Sequence, residues 1–314
     1  MFPIGISFSL FKRMPRIMAL LLNIITIFLT VFLLVGCCSS SYLSIFLIKY
    51  QFNDESEFYS TLKENFSYDG MEDITVKVGY LNICLTNLPD QYLNSLSSAQ
   101  FSNITSDVSI NGHTICYPKH NFSETTIYDD FAINLIKSGT SSNSSLSSDV
   151  SNTLNILKIA NVTSNSIIHP YILIATIVLV CLMFLLIMYV TIPFELPLKT
   201  QINKLLLIWS AVLVLVWGFG TIWSHVAIES SRDLIPDSSF NIIKVENGKK
   251  TSAMSWCSFV FLLLDCIILW ALYIRDRKSM SQEIEEMNNK NNPFNDKYYN
   301  KYMSESSTIN SNNK

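Results

Sequence analysis

Four long apolar segments dominate the pattern of hydrophobic and polar positions along the chain. They lie at residues 17–36, 171–193, 205–226 and 253–274. A bilayer core takes about 20 apolar helical residues to cross, so each segment is long enough to span a membrane. The first segment is also longer than the roughly 7–15 apolar residues of a cleaved signal peptide. We therefore predict a membrane protein built on a four-helix transmembrane bundle.

Basic residues near the ends of these segments predict the orientation, because membrane proteins keep an excess of Lys and Arg on the cytoplasmic side. Such residues precede the first segment, separate the second from the third, and follow the fourth (Lys12, Arg13, Arg16; Lys199, Lys204; Arg275, Arg277, Lys278). We predict that residues 1–16, 194–204 and 275–314 are cytoplasmic. The large loop at 37–170 and the short loop at 227–252 are then extracellular.

Glycosylation sequons give an independent indication of the same topology. All five lie in the large loop, at Asn65, Asn103, Asn121, Asn143 and Asn161. Glycan acceptors must face the secretory lumen, so this clustering favours an extracellular loop. Asn161 is the sequon nearest the second apolar segment, where the bilayer limits its use.

Composition excludes several functional classes. Hydrophobic residues make up 49% of the chain and charged residues only 15%, with a mean hydropathy of +0.30 and a net charge of -3. The charge balance offers no basic surface that would bind the phosphate backbone of a nucleic acid. We therefore expect membrane lipid, and no nucleic acid, as a partner of the chain. The sequence has no phosphate-binding Gly-rich loop, H-E-x-x-H or G-x-S-x-G motif. We expect neither an enzyme nor a bound cofactor or metal.

The large loop shows strand patterns. Apolar residues alternate with Thr75, Lys77 and Gly79 over residues 74–80, as in a half-buried strand. Residues 109–115 place Asn111 and Gly112 between two β-prone runs, the signal of a type I′ hairpin. Residues 42–48 form a further apolar run that fits either a first strand or an extension of the first helix. We predict a small β-rich extracellular domain in the first loop.

Two cysteines, Cys84 and Cys116, lie in this loop near predicted strands. In an oxidising compartment a disulfide between them is favoured, and the alternative is a zinc pair, which no ligand spacing supports. A bridge closing a loop of this length contributes roughly 3 to 4 kcal/mol in the chain-entropy model. Cys37 and Cys38 flank the end of the first segment, and the sequence assigns them no role.

The loop is acidic, with 13 Asp or Glu against 5 Lys and no Arg between residues 50 and 168, a net charge of -8. The acids cluster in three places (Asp54, Glu55, Glu57; Asp69, Glu72, Asp73; Asp129, Asp130). Clustered carboxylates suit calcium, but EF-hand spacing is absent and charge runs are usually solvated. Weak ion contact and plain solvated surface both remain open.

Asp265 lies in the middle of the fourth apolar segment. A central Asp costs roughly 2.5 to 3.5 kcal/mol on insertion scales, so it should face the bundle interior with a partner. One interpretation is a structural hydrogen bond to Ser210 or Thr221 on the third segment. The other is an ion-coordinating or proton-sensing carboxylate.

The tail from residue 279 is rich in Asn, Ser and Lys and is predicted to be disordered. Within it, Asn292, Pro293, Phe294 and Asp296 form a segment that resembles the N-P-F-x-D endocytic signals of fungi. A turn begun by Asn-Pro would present the Phe beside the acid. We expect an endocytic adaptor as the partner of this motif.

The chain resembles the claudin-like superfamily in three features. These are its four spans, its large first loop with glycosylation sequons, and a glycine motif that ends in a Cys and is followed by a distant second Cys. Within it, the chain is most similar to the pheromone-induced fungal mating family of calcium regulators and membrane-fusion proteins. That family carries a glycine, two residues, a second glycine, one residue and a Cys, and this chain reads Gly79-Tyr80-Leu81-Asn82-Ile83-Cys84, with Cys116 as the second Cys. Asn82 replaces the second glycine and tolerates left-handed backbone better than most residues.

The resemblance implies a claudin-like fold and a plasma-membrane role in mating. The implied function is to assist low-affinity calcium influx and membrane fusion in the pheromone response, at the tip of the mating projection. Calcium would then be a transported or weakly bound ion, and the chain would act as a homo-oligomer or with a calcium-channel partner. Gly79, Tyr80, Cys84 and Cys116 would maintain the fold.

Two alternative functions fit the same sequence features. A structural scaffold of fungal cortical patches would use similar loops and cysteines without an ion role. A claudin-type adhesion protein would bridge paired cells through its outer loops, although bulky glycans argue against close contact.

Overall fold

Four long helices and one six-stranded antiparallel sheet form the main body of the computed structural model. It describes residues 4–39, 42–66, 69–99, 109–111, 113–119, 131–134, 153–167, 169–191 and 199–290. The long helices are α1 (Ile4–Val35), α5 (Pro170–Thr191), α6 (Lys199–Ser238) and α7 (Lys249–Lys290). The shorter helices are α2 (Tyr59–Asn65), α3 (Asp90–Ala99) and α4 (Ile156–Val162). A 3₁₀ turn (Met71–Asp73) follows α2 and a π-helical turn (Thr163–Ile167) follows α4.

The four long helices pack into a bundle in the ring order α1, α5, α6, α7. Each contains a segment long and apolar enough to cross a membrane, with mean hydropathy from 2.3 to 3.0, which confirms the predicted number of spans. Large apolar side chains point away from the bundle on every helix, as at Phe28, Leu185, Leu215 and Ile267. In lipid this surface needs no protein cover, so the chain is a multi-pass membrane protein.

Two of the helices continue well past the predicted spans. Helix α6 runs to Ser238 and α7 to Lys290. The prediction of disorder from residue 279 is therefore wrong as far as Lys290. Residues 279–290 are mostly good helix formers, and lengthening an existing helix avoids the cost of nucleation. The endocytic motif at 292–296 lies outside the described residues.

The sheet has the strand order β4, β5, β3, β2, β1, β8. Its strands are β1 (Ile48–Phe52), β2 (Thr75–Val78), β3 (Asn82–Thr86), β4 (Ser109–Asn111), β5 (Thr114–Pro118) and β8 (Ile243–Asn247), and a separate pair joins β6 (Ala132–Asn134) to β7 (Thr153–Asn155). Strand β8 comes from the short second loop, so the prediction of a sheet confined to the first loop is wrong. It pairs with β1 from Ile48↔Asn247 to Phe52↔Ile243. Its first three residues alternate between buried and exposed, as in a strand that buries one face.

The predicted strands of the first loop are largely present. Strand β2 lies within the alternating segment, and β4 pairs with β5 as the predicted hairpin. Asn111 pairs with Thr114, so it ends a strand instead of forming the turn, and Gly112 lies outside the described residues. Of the apolar run at 42–48, only Ile48 belongs to a strand. The rest connects β1 to α1, which ends at Val35.

All the strands of the large sheet lie at one end of the bundle, here called the sheet end. This follows from the connections, because the end of α1, the start of α5, the end of α6 and the start of α7 all lead into or out of the strand-bearing segments. At the opposite end, called the tail end, Arg16 of α1 forms an ion pair of 2.8 Å with Asp276 of α7. The first and last helices therefore begin and finish on the same side of the bundle.

Candidate functional site

Asp265 lies in the core of the bundle and is fully buried. Its partner is Asn23 on α1, also fully buried, whose Nδ2 donates to Asp265 Oδ2 at 3.4 Å. The predicted partners on the third span are wrong. Ser210 donates to the Leu207 carbonyl, and Thr221 accepts a hydrogen bond from Ser255. We call Asn23 and Asp265 the acid–amide pair.

The acid–amide pair has unused hydrogen-bonding capacity. Within the described residues, Asn23 Oδ1 and Asp265 Oδ1 are buried without a donor. A buried acceptor without a donor costs about 1 to 3 kcal/mol. Two such oxygens in one pair can be satisfied by a proton on the carboxyl group or by a small cation. The geometry thus permits both interpretations of Asp265, as a structural group and as an ion- or proton-binding one.

Hydrogen-bonded polar groups continue from this pair towards the sheet end. Trp217 Nε1 donates to Ser258 Oγ at 2.8 Å, and Ser255 Oγ donates to Thr221 Oγ1 at 3.2 Å. Ser255 precedes Asp265 on α7 by about 15 Å of helix. All four side chains are buried. The bundle core therefore carries polar groups over about half the thickness of a bilayer.

The sheet is attached to the bundle where the loop after β2 meets the end of α1. A Cβ on Gly79 would lie 2.5 Å from the Gly36 carbonyl oxygen and 2.9 Å from Cys37 Cβ. A Cβ on Gly36 would in turn lie 2.7 Å from the Ile45 carbonyl oxygen. Side chains cannot be accommodated this close to backbone atoms. Gly36 and Gly79 therefore allow the chain segments to touch at this junction.

The predicted disulfide between Cys84 and Cys116 is present. The two residues face each other on neighbouring strands, β3 and β5, with Cα atoms 4.0 Å apart. Cys37 packs against this bridge, and its carbonyl oxygen lies 2.9 Å from Cys84 Sγ. Burial raises the pKa of the Cys37 thiol to about 12, so the thiol stays protonated and unreactive. Cys37 is thus a packing residue that holds the first helix against the disulfide.

Comparison with known proteins decides the family. A sequence model described as "Ca2+ regulator and membrane fusion protein Fig1" matches residues 60–275, which include most of the sheet and the last three spans. The chain belongs to the Fig1 family. It is 45% identical over 304 residues to the Factor-induced gene 1 protein of Saccharomyces cerevisiae (strain ATCC 204508 / S288c), an alignment that covers 96% of each chain.

In this Fig1-family chain, the motif residues Gly79 and Tyr80 lie at the junction between sheet and bundle. Tyr80 is buried and its hydroxyl lies 3.5 Å from Ser224 Oγ on α6. Asn82 begins β3, and its carbonyl oxygen accepts a hydrogen bond from the Gly79 amide. Asn82 is not among the residues with positive φ, so tolerance of left-handed backbone does not explain its presence.

The acidic clusters of this Fig1-family chain do not form a metal site within the described residues. Asp54, Glu72 and Asp73 share a surface groove with Lys49. Glu72 is buried and already satisfied, because it pairs with Lys63 at 3.3 Å and accepts from the Gly70 amide. Asp129 and Asp130 lie outside the described residues.

The structure describes the asparagines of two of the five sequons. Asn65 ends α2, and Asn161 lies in α4, where its Oδ1 accepts from Asn165 Nδ2 at 2.7 Å. Thr163, the hydroxyl residue of the Asn161 sequon, is buried. Asn103, Asn121 and Asn143 lie outside the described residues.

Two residues that the sequence analysis did not select matter to these sites. Asn23 interrupts the first apolar segment, and an amide within a span was the available signal for a bundle-facing position. Lys119, just after β5, is buried at 8% exposure, and its Nζ donates to the Ser164 carbonyl at 3.3 Å. Burial lowers the pKa of Lys119 to about 7. Nothing in the local sequence distinguishes it from a surface lysine.

Proposed function

We propose that this Fig1-family chain is a plasma-membrane protein of fungal mating that assists low-affinity calcium influx and membrane fusion during the pheromone response. The observation that carries the proposal is the family match, since its description combines calcium regulation with membrane fusion. The name of the yeast relative, a factor-induced gene product, agrees with induction by pheromone. The proposed site of action is the tip of the mating projection.

The proposed topology places both termini in the cytoplasm and the sheet outside. The Arg16–Asp276 ion pair supports this, because it places the first part of α1 and the last part of α7 on the same side of the bundle. Basic residues accumulate at that tail end, as expected of the cytoplasmic face. The sequons all lie in the segment that connects to the sheet end.

The acid–amide pair is the proposed ion-responsive group. Its two unsatisfied oxygens lie in the bundle core, below the polar residues that lead to the sheet end. In this proposal the chain works with neighbours, either further copies of itself or a calcium-channel partner. Calcium is its cargo or regulator, and the surface carboxylates such as Asp54 and Asp73 raise the local cation concentration.

The decisive experiment compares pheromone-stimulated calcium accumulation in cells with and without the gene, and after re-expression. A loss that re-expression restores supports the proposal. Re-expression of Asp265→Asn then asks whether the acid carries the effect, with the exposed Asp233→Asn as the matched control. Equal accumulation with and without the gene would reject the calcium role and favour the scaffold or adhesion alternatives.

Sequon variants test the topology separately. Removal of Asn103, Asn121 or Asn143 by Gln should each increase gel mobility if the large loop is luminal. Asn161→Gln should leave mobility unchanged, because Asn161 lies shortly before the membrane helix that starts at Pro170, where the bilayer limits glycan transfer. A mobility increase in Asn161→Gln would show that Asn161 carries a glycan, which would contradict the proposed position of this segment close to the membrane.

A further inference from the structure

An apolar groove runs between α4 and the sheet-end part of α6. Its volume is about 620 Å³, within the range of roughly 300 to 1,000 Å³ typical of small-molecule sites. Ile159 and Val162 of α4 form one wall, and Trp223, Val226 and Leu234 of α6 form the other. Neither the acid–amide pair nor the junction at Gly79 contributes to it.

The groove starts where the bundle leaves the hydrocarbon, because Trp223 and Val226 lie at the end of the predicted span 205–226, and it extends beyond that level along α6. Gly220 of α6 is packed against Ile172, which is near the start of α5, so α6 emerges from the bilayer close to that point. Helix α6 has 40 residues, about 60 Å, whereas the hydrocarbon is about 30 Å thick. From Trp223 to Leu234 the groove rises about 16 Å further along the helix.

Its walls expose apolar side chains where lipid no longer covers them. Val162 of α4 is 52% exposed and Leu234 of α6 is 67% exposed. Contiguous apolar surface outside the bilayer marks a binding site in soluble and membrane proteins alike. The groove is therefore suited to an apolar ligand.

The end of the groove nearest the bilayer indicates which apolar ligand can enter it. Trp223 stands at the base, stacked on Phe219, which together with Ile222 belongs to the exposed apolar surface of the span. The groove is thus continuous with the membrane-facing side of α6, and an acyl chain can enter it from the bilayer without crossing water. A protein segment would have to approach from the aqueous side.

Among the described residues that line the groove, Lys158 is the one cation. Lys158 of α4 is exposed, and the serines Ser230 and Ser231 of α6 also line the groove. An ammonium group beside an apolar channel suits a phosphate ester attached to hydrocarbon, because the two parts of the ligand are bound by different parts of the site.

We propose that this groove binds one acyl chain of a glycerophospholipid from the leaflet at the sheet end, with the lipid phosphate at Lys158. The chain is drawn up beside α6 while the rest of the lipid remains in the leaflet. If the membrane-fusion part of the proposed function holds, this would lower the barrier to lipid transfer between apposed membranes. The binding itself rests only on the groove and its position.

Photo-crosslinking tests the site. The full chain is placed in phosphatidylcholine nanodiscs that contain a small fraction of phosphatidylcholine with a diazirine at the acyl terminus, and labelled peptides are mapped after irradiation. We expect labels in α4 and between Ala227 and Ile235, in addition to the spans. Ala227→Trp and Ser230→Trp, which fill the groove, should abolish the groove labels. Leu215→Trp, on the exposed face of the same helix within the span, is the matched control and should retain them.

Headgroup contact is tested by Lys158→Gln, which should reduce groove labelling several-fold without changing the labelled peptides. Lys244→Gln, an exposed lysine on β8, is its control. Labels confined to the spans, or unchanged groove labels in both Trp variants, overturn the proposal. None of these readouts measures calcium or fusion, so they are independent of the proposed function.

Discussion

Gly79 and Gly36 lie so close together that a Cβ on Gly79 would be 2.5 Å from the Gly36 carbonyl oxygen. This contact joins the loop after β2 to the end of the first membrane helix. Cys37, immediately after Gly36, packs on the Cys84–Cys116 disulfide. The first helix, the glycine of the family motif and the disulfide thus form one continuous unit between membrane and sheet.

Gly79→Ala should destabilise the junction by about 1 to 3 kcal/mol, because the added methyl group must displace backbone atoms. The measurement is the fraction of chain at the cell surface, together with the thermal midpoint of the purified protein. Gly218→Ala is the matched control. Its Cβ would meet the edge of the Phe259 ring at 2.8 Å, and a side chain can rotate away where a carbonyl cannot. Equal effects of the two substitutions would contradict the role assigned to Gly79.

Cys84→Ser and Cys116→Ser should each retain the chain in the secretory pathway. Loss of the bridge removes roughly 3 to 4 kcal/mol in the chain-entropy model. The double variant should be no worse than either single variant, because all three lose the same bond. Surface biotinylation is the measurement, and Cys257→Ser, an exposed cysteine on α7, is the control. Normal delivery of both single variants would show that the sheet does not depend on the bridge.

A double-mutant cycle on the acid–amide pair separates its structural role from its functional one. Asn23→Leu should cost about 1 to 3 kcal/mol, because it leaves the buried Asp265 without its donor. Adding Asp265→Leu should recover most of this stability, since two apolar side chains in contact leave no buried polar atom without a hydrogen bond. Calcium accumulation should stay low in the double variant although its thermal midpoint recovers.

Asp265→Asn is the conservative variant in the same series. It should reach the cell surface normally and lower calcium entry, because the amide replaces the acid without a charge or an exchangeable acidic proton. Unchanged calcium entry in both Asp265→Asn and the stable double variant would leave the pair a purely structural contact between α1 and α7.

Lys119 should make the stability of the sheet depend on pH. Its pKa is lowered from 10.5 to about 7 by burial, so the unfolded chain holds the proton more tightly than the folded one. Stability therefore rises as pH increases between about 7 and 10.5, and below about 7 the cost of burying the charge is fully present. Burial raises the pKa of the Cys37 thiol to about 12, so this neighbour stays neutral and places no charge beside Lys119 in this window.

The thermal midpoint of the purified chain should consequently be higher at about pH 9 than at about pH 6. Lys119→Met should flatten this difference and raise the midpoint at the lower pH, because no charge has to be buried. Lys244→Met, at an exposed lysine, should leave the difference intact. A pH dependence that persists in Lys119→Met would assign it to another group.

Local patterns in the sequence predicted much of this architecture. Continuous apolar runs gave the four spans, because a helix in lipid must be apolar on its outer side over its whole length. Alternation gave β2, and an Asn-Gly pair between two β-prone runs gave the β4–β5 hairpin, whose strands are close in sequence. Cys84 and Cys116, the two cysteines between residues 50 and 168, predicted the disulfide because they lie near predicted strands in an oxidising compartment. Each of these inferences needed only neighbouring residues or composition.

The sequence alone therefore determined that this is a four-span membrane protein with a disulfide-linked sheet, since apolar length and strand alternation are properties of short segments. Only the tertiary structure decided that β8 completes the sheet and that Asp265 meets Asn23, 242 positions away, instead of a residue on the third span. The reason is physical. Which distant segments meet depends on how four helices pack around one another, and helix packing is selected by the fit of whole surfaces rather than by any single residue.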